Sequence, residues 1–326
     1  MQLIVKKQLT FILLLSLLIV SLLFNYIQIR YNRTKEVFRA HLDIECKNLP
    51  NALEEQLEEF EDFANSNLYD FLVNNHRKRA LANYLRVYDA YDENGPIKII
   101  RHGSRNDGGY VVATKALESA DVLFGYGICN DNSFEDMFSV NYKKPSYGFD
   151  CGISYIQSKS NLFTLIKECI SSDSNVDWFQ TSSKIISSFN SQRDKLGLRG
   201  KKIFVKMDIE GEEFVAVNEL INSHENITGI ALEVHYFSFS VEKVITLLKK
   251  LQKYFVLIHI HGNNCCDTFN APNVVGGLPR IIELSYINKS LVKNYKISKD
   301  QSFPKKIDMP NISQKPEISF EIIDQK

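Results

Sequence analysis

The sequence predicts an α/β fold: a doubly wound, mainly parallel, Rossmann-like sheet, preceded by an N-terminal transmembrane helix and a helical stalk. Two observations carry this expectation. From Asp121 onward, short apolar runs alternate with segments of helical spacing. Such alternation builds a parallel sheet with helices on both faces. Ahead of that region, Gln8 to Ile29 carries no charge and matches the roughly 20 residues a bilayer core requires.

Residues 1–30 are read as an uncleaved signal anchor. No face of the run is polar enough to meet water. A cleaved signal peptide would be shorter and end in a small-x-small site, whereas this run ends Leu23-Phe-Asn-Tyr-Ile27. Orientation stays open. Lys6 and Lys7 precede the helix, and Arg30, Arg33, Lys35 and Arg39 follow it, which by counting favours a cytosolic domain. N-terminal single anchors often place the domain in the lumen instead, and the expectation is a single-pass endomembrane protein with a luminal, Golgi-type domain. Four glycosylation sequons begin at Asn32, Asn226, Asn288 and Asn311, too common in a chain rich in Asn, Ser and Thr to decide the matter.

Residues 31–94 form the expected stalk and packing segment. Apolar residues recur three and four apart (Leu53, Leu57, Phe60, Phe63), so the reading is helical from 34 to about 90. The acidic run Glu54–Asp62 is taken as a solvated face. The turn cluster Asp92-Glu-Asn-Gly-Pro96 marks the boundary to a domain over residues 95–292. Residues 293–326 are polar with scattered prolines, and a loosely held tail is expected there.

Within the domain, strands are expected at Ile97–Ile100 and Gly108–Ala113, then at Asp121–Ile128, Ser146–Asp150, Val176–Phe179, Lys202–Asp208, Ile227–His235, Phe255–His261 and Pro279–Ile287. Helices are expected at Ser133–Val140, Lys159–Ile170, Ser182–Arg193, Glu212–Asn222 and Val241–Gln252.

Basic and acidic residues balance, 39 against 39, so no nucleic-acid partner is expected. The six cysteines form no C-x-x-C pair, which excludes a zinc knuckle, and they are too few for a disulfide-stapled scaffold.

In an open parallel sheet, ligands bind beyond the carboxyl ends of the strands, so candidate site residues are sought there. Val122-Leu-Phe-Gly-Tyr-Gly-Ile128 runs a strand into Gly125 and Gly127, followed by Asp131 at a helix start. Such glycines let a nucleotide-like ligand approach the backbone, although the full G-x-G-x-x-G pattern is absent. Asp150 ends the next strand, where an acid can accept both ribose hydroxyls of an adenosine, or else cap a helix. Phe204-Val-Lys-Met-Asp-Ile-Glu-Gly-Glu-Glu213 puts Asp208 and Glu210 at a third strand tip, able to position a substrate, act as base or hold a metal. Glu212 and Glu213 instead suit a helix N-terminus. Glu233-Val-His235 and His259-Ile-His261 add histidines at further tips, His259 and His261 on one sheet face. A histidine there could take a hydroxyl proton. Asp208, Glu233 and His235 could also bind a divalent ion, but their spacing is not diagnostic, and no metal is assigned.

Together, Asn106–Val112, Phe124–Glu135, Phe149-Asp150, Lys206–Glu213, Glu233–His235 and His259–Asn264 resemble the FkbM-like methyltransferases, in particular their membrane-anchored branch. The resemblance spans roughly residues 95–287. It implies a class I S-adenosylmethionine (SAM)-dependent methyltransferase fold, with SAM as cofactor and O-methylation of a glycan or other small hydroxyl compound. Gly125, Gly127 and Asp131 match the family's SAM loop, Asp150 its ribose-binding acid, and Asp208 the acid of its Asp-x-Glu-Gly segment. Cys129 stands where relatives keep a small glycine. The resemblance fixes no catalytic base; Asp208, His235 and His261 are the candidates. The rival reading is a membrane-anchored, metal-dependent glycosyltransferase using Asp208-Ile-Glu210 as a D-x-E motif.

Overall fold

The computed structural model describes residues 80–170, 186–235, 241–271 and 273–323, all within one compact unit, Leu72–Lys326. The expected anchor over residues 1–30, the stalk as far as residue 79 and the strand expected at Val176–Phe179 lie outside the described residues. Among the described residues, no helix is long and apolar enough to cross a membrane.

In chain order the principal elements begin with β1 (Tyr88–Asp92), β2 (Ile99–His102), β3 (Tyr110–Ala113), α1 (Thr114–Ser119), β4 (Val122–Tyr126), α2 (Ser133–Tyr142), β5 (Ser146–Phe149) and β6 (Phe163–Ile166). They continue with α3 (Phe189–Lys195), β7 (Ile203–Met207), α4 (Glu213–Asn222), β8 (Ile227–Val234), α5 (Val241–Tyr254) and β9 (Phe255–Gly262). The last are β10 (Ile282–Asn288), β11 (Asn294–Ile297) and β12 (Phe320–Ile322). Seven strands make the central sheet in the order β9-β10-β8-β7-β4-β5-β6. Strands β6, β5, β4, β7 and β8 run parallel. Only β10 opposes its neighbours, pairing antiparallel with both β8 and β9. The chain leaves β4 toward β5 and β6, then returns to place β7 on the other flank of β4, so the topological switch point lies between β4 and β7.

Alternation along each strand feeds two cores. Val205, Met207, Ile230 and Leu232 pack with Ala216, Leu220, Val244 and Leu248 of α4 and α5. Phe204, Ala231 and Leu123 face the other way, toward Tyr110, Leu117, Phe134 and Phe138 of β3, α1 and α2. Helices therefore cover both faces, as a parallel sheet buried on each side requires.

Several expectations need correction. Lys159–Ile170 is not a helix. Its Phe163-Thr-Leu-Ile166 is β6, the parallel edge partner of β5, and the β-branched and aromatic content of that run outweighs its helix-like spacing. Of the helix expected over Ser182–Arg193, residues 182–185 lie outside the described residues, Ile186–Ser187 is strand, and the helix runs from Phe189, where Ser188 caps it by accepting the Ser191 N–H at 3.2 Å. The stalk helix does not reach residue 90, because Tyr88–Asp92 is already strand. Finally, the tail is not loosely held. Phe303, Phe320 and Ile322 are buried in the larger core, and β11 pairs with β1 across both expected domain boundaries.

Candidate active site

The loop after β4 and the end of β5 form one unit. Asp150 accepts the backbone N–H groups of Ile128 (3.1 Å) and Cys129 (2.8 Å) on Oδ2, and that of Gly152 (2.7 Å) on Oδ1. A carboxylate has about four acceptor sites, so Oδ2 is filled and Oδ1 keeps one. While the loop holds this shape, Asp150 can take one ribose hydroxyl rather than the two expected from sequence. The adjacent Cys151 is disulfide-bonded to Cys169, which ties the segment after Asp150 to the end of β6.

The two glycines of this bend serve the protein's own contacts. A side chain on Gly125 would run into the carboxylate of Glu135, and one on Gly127 into the backbone carbonyl of Asp208. Gly127 also has φ of +74°, a region that L-residues with a Cβ enter at a cost. The glycines thus bring Glu135 of α2 and the tip of β7 against the strand-end bend, where sequence reading had them admit a ligand. Asp131 caps the start of α2 by accepting the Ser133 N–H at 2.7 Å, and it packs beneath Gly108 of the β2–β3 loop.

One row of charged side chains crosses the sheet near the carboxyl ends of β7 and β8. Register places Asp208, just past β7, beside Glu233 of β8. Glu233 stands directly opposite Glu283 of β10, and Glu283 opposite His261 of β9. Like charges opposed in this way repel, and polar neighbours answer them. Tyr110 Oη donates to Glu233 Oε2 (3.2 Å) and Asp208 Oδ2 (3.5 Å), and Asn263 Nδ2 donates to Glu233 Oε1 (2.9 Å). Asn311 Nδ2 donates to Glu283 Oε1 (2.7 Å). Lys206 Nζ lies 3.7 Å from Asp208 Oδ2 and donates to the Gly127 carbonyl at 2.8 Å.

Burial, and then the charges of Asp208 and Glu283, push the Glu233 carboxyl well above the usual range. Burial likewise raises Glu135 to about 7, with Lys206 pulling the other way. Burial works against a charged His235, but the hydrogen bond and charge of Glu213, with Glu233 and Asp208, outweigh it and lift His235 to about 9. Its Nδ1 meets Glu213 Oε1 at 2.9 Å. Glu213 is fully buried and also accepts the N–H groups of Ile209 (3.2 Å) and Gly211 (3.1 Å).

No protein-family model matches this chain, and no curated protein matches it.

Of the residues picked from sequence, Gly127, Asp131 and Asp150 gather at the bend after β4, Gly125 lies within β4 itself, and Asp208 joins the bend through its contact with Gly127. His235 comes to Asp208, with Nε2 3.8 Å from Oδ1. His261 is not brought to that point. It is held between Glu283 Oε2 and Glu317 Oε2, each at 3.1 Å, while His259 meets Asp308 at 2.7 Å. Both histidines thus serve the contact between β9 and the tail. Sequence reading missed Glu283, Lys206 and Tyr110. The first two had a signal, a single charge within an otherwise apolar strand. It also left the sequons open. Asn288 and Asn311 are buried with their amides donating inward, so neither can carry a glycan in the folded protein.

Proposed function

We propose that the protein is a SAM-dependent methyltransferase that methylates a hydroxyl of a glycan or another small molecule. The observation that carries this reading is the direct joining of the bend after β4 to Asp150 of β5, at the switch point of the sheet and against Asp208. That is where an open α/β sheet binds a nucleotide-like ligand. The strand order supports it as well. Counted along the chain the sheet reads third, second, first, fourth, fifth, seventh, sixth, with only the seventh reversed, which is the arrangement of class I methyltransferases.

The residues present fit the cofactor. Asp150 keeps one acceptor site for a ribose hydroxyl, and Asp131 and the bend flank it. Bound there, SAM supplies a methyl group already activated on a sulfonium. What remains for the protein is to hold the acceptor oxygen in line and to take its proton. Asp208, whose side chain is 23% exposed, suits the second task. His235, whose Nε2 lies 3.8 Å from Asp208 Oδ1, can act by orienting that carboxylate. The expected anchor and luminal placement belong to the same proposal. The Cys151–Cys169 disulfide supports an oxidising compartment for the domain.

Calorimetric titration with SAM and with S-adenosylhomocysteine tests the reading. Both are expected to bind, Asp150→Ala to weaken binding at least tenfold, and Asp208→Asn to lower turnover with SAM binding unchanged. Failure of both compounds to bind would remove the proposal. Thermal stabilisation by a nucleotide sugar with manganese, and none by SAM, would favour the glycosyltransferase instead.

A further inference from the structure

We infer that Asp208, Glu233 and His235 form a binding site for one divalent first-row metal ion, with Glu210 closing its outer side. Each of the three residues offers one ligand atom, and these atoms lie within 4.8 Å of one another. His235 Nε2 faces Asp208 Oδ1 at 3.8 Å, Glu233 Oε1 at 3.7 Å and Glu210 Oε2 at 3.4 Å. These spacings are long for hydrogen bonds. They are somewhat wider than ligands sharing an ion, which about 2.1 Å from a metal stand about 3.0 Å apart at a right angle and about 3.4 Å apart at a tetrahedral one, so side-chain rotation would draw the three onto it.

The surroundings hold the three side chains as ligands are held. A metal-binding histidine commonly gives its other ring nitrogen to a carboxylate, which fixes the ring. His235 Nδ1 does this with Glu213, itself clamped by two backbone N–H groups. Glu233 Oε1 is steadied by Asn263. Asp208 turns Oδ2 to Lys206 and Tyr110, leaving Oδ1 toward His235. Carboxylates gather here, because Glu233 has an acidic neighbour on either side in the row, Asp208 and Glu283. The outer side of the cluster meets solvent at Glu210, whose side chain is 82% exposed. One nitrogen and two carboxylate oxygens suit manganese, iron or zinc better than calcium. If the methyltransferase reading holds, Asp208 would act by holding this ion, and the ion could polarise the hydroxyl of the substrate. The site itself does not depend on that reading.

Manganese is the probe. Chelator-treated full-length protein is titrated with Mn²⁺ in the absence of SAM, and free ion is followed by its electron paramagnetic resonance signal. One equivalent should bind, and Asp208→Asn, Glu233→Gln and His235→Gln should each weaken binding at least tenfold. Glu225→Gln, a change at an exposed acid away from the cluster, should leave it unchanged. Spin-echo modulation from a coordinated imidazole nitrogen, read on the unmutated protein, should report His235 and needs no variant to fold. Absence of binding at millimolar Mn²⁺, absence of nitrogen modulation, or unchanged affinity in folded variants overturns the proposal. SAM binding, measured separately, stands or falls on its own.

Discussion

Gly127 lies against the backbone carbonyl of Asp208, so closely that the bend after β4 and the tip of β7 leave no room for a side chain between them. Gly127→Ala should therefore destabilise the protein by about 3 kcal/mol, since the clash is with backbone and φ is +74°. Gly125→Ala should cost less, about 1–2 kcal/mol, because its obstacle is the Glu135 side chain. Urea unfolding of the single variants and of Gly125→Ala with Glu135→Ala checks this. The Glu135→Ala background should absorb most of the Gly125→Ala penalty, and strict additivity would contradict the assigned contact.

Cys129 occupies φ of +47°, a left-handed conformation that costs a non-glycine residue about 1–2 kcal/mol. Cys129→Gly should accordingly leave stability unchanged or raise it by up to about 1 kcal/mol, after the extra freedom of glycine in the unfolded chain is counted. Cys129→Val should lower it by at least about 1 kcal/mol, β-branched residues being the least tolerant of this region. Thermal unfolding midpoints of the two variants should move apart.

His261 carries a pH signature. Burial opposes its charge, but Glu283 and Glu317 raise it to about 10, above the roughly 6.5 of an unfolded histidine. The folded state thus binds the extra proton between those values. The stabilisation is complete below about pH 6.5 and is lost as pH climbs toward 10. His261→Gln should cost about 3 kcal/mol at pH 6 and much less at pH 10. Unfolding free energies of both proteins across that range give the difference, and a gap that widens with pH would refute the assignment.

The Cys151–Cys169 disulfide closes a segment of 18 residues between Asp150 and the end of β6. Constraining an unfolded loop of that size contributes about 3 kcal/mol. Cys151→Ser with Cys169→Ser, or reduction, should lower stability by about that amount and loosen the segment that carries Asp150. Hydrogen exchange at Gly152, whose N–H bonds to Asp150, should rise. An unchanged exchange rate would separate the disulfide from the bend.

Much of the fold was legible because its strands announce themselves. Val122–Tyr126 is a continuous apolar run, Ile203–Met207 and Ile227–Val234 are broken only by Lys206, Thr228 and Glu233, and strands buried on both faces read that way. β6 did not, because Phe163-Thr-Leu-Ile166 is an edge strand only partly buried, and four residues cannot distinguish a helical period from a strand. The tail was misread for a different reason. Its anchors are isolated residues, Phe303, Phe320 and Ile322, whose partners lie far away in sequence. The bend and its acid could be found from spacing, but not the hydrogen bonds that join them. Nor could spacing show that Glu283 stands opposite Glu233, since antiparallel register is set by pairing across distant segments.

That pairing also constrains the order in which the chain can mature. β1 needs β11, His259 needs Asp308, and Glu283 needs Asn311, and each of these partners follows the last strand of the central sheet in the chain. Domains commonly fold while synthesis proceeds. Here the strands of the central sheet emerge before the segment that answers Glu283 and His259. A stop at about residue 290 would therefore yield a chain with the strands of its central sheet and none of this cover, a natural client for chaperones and proteases.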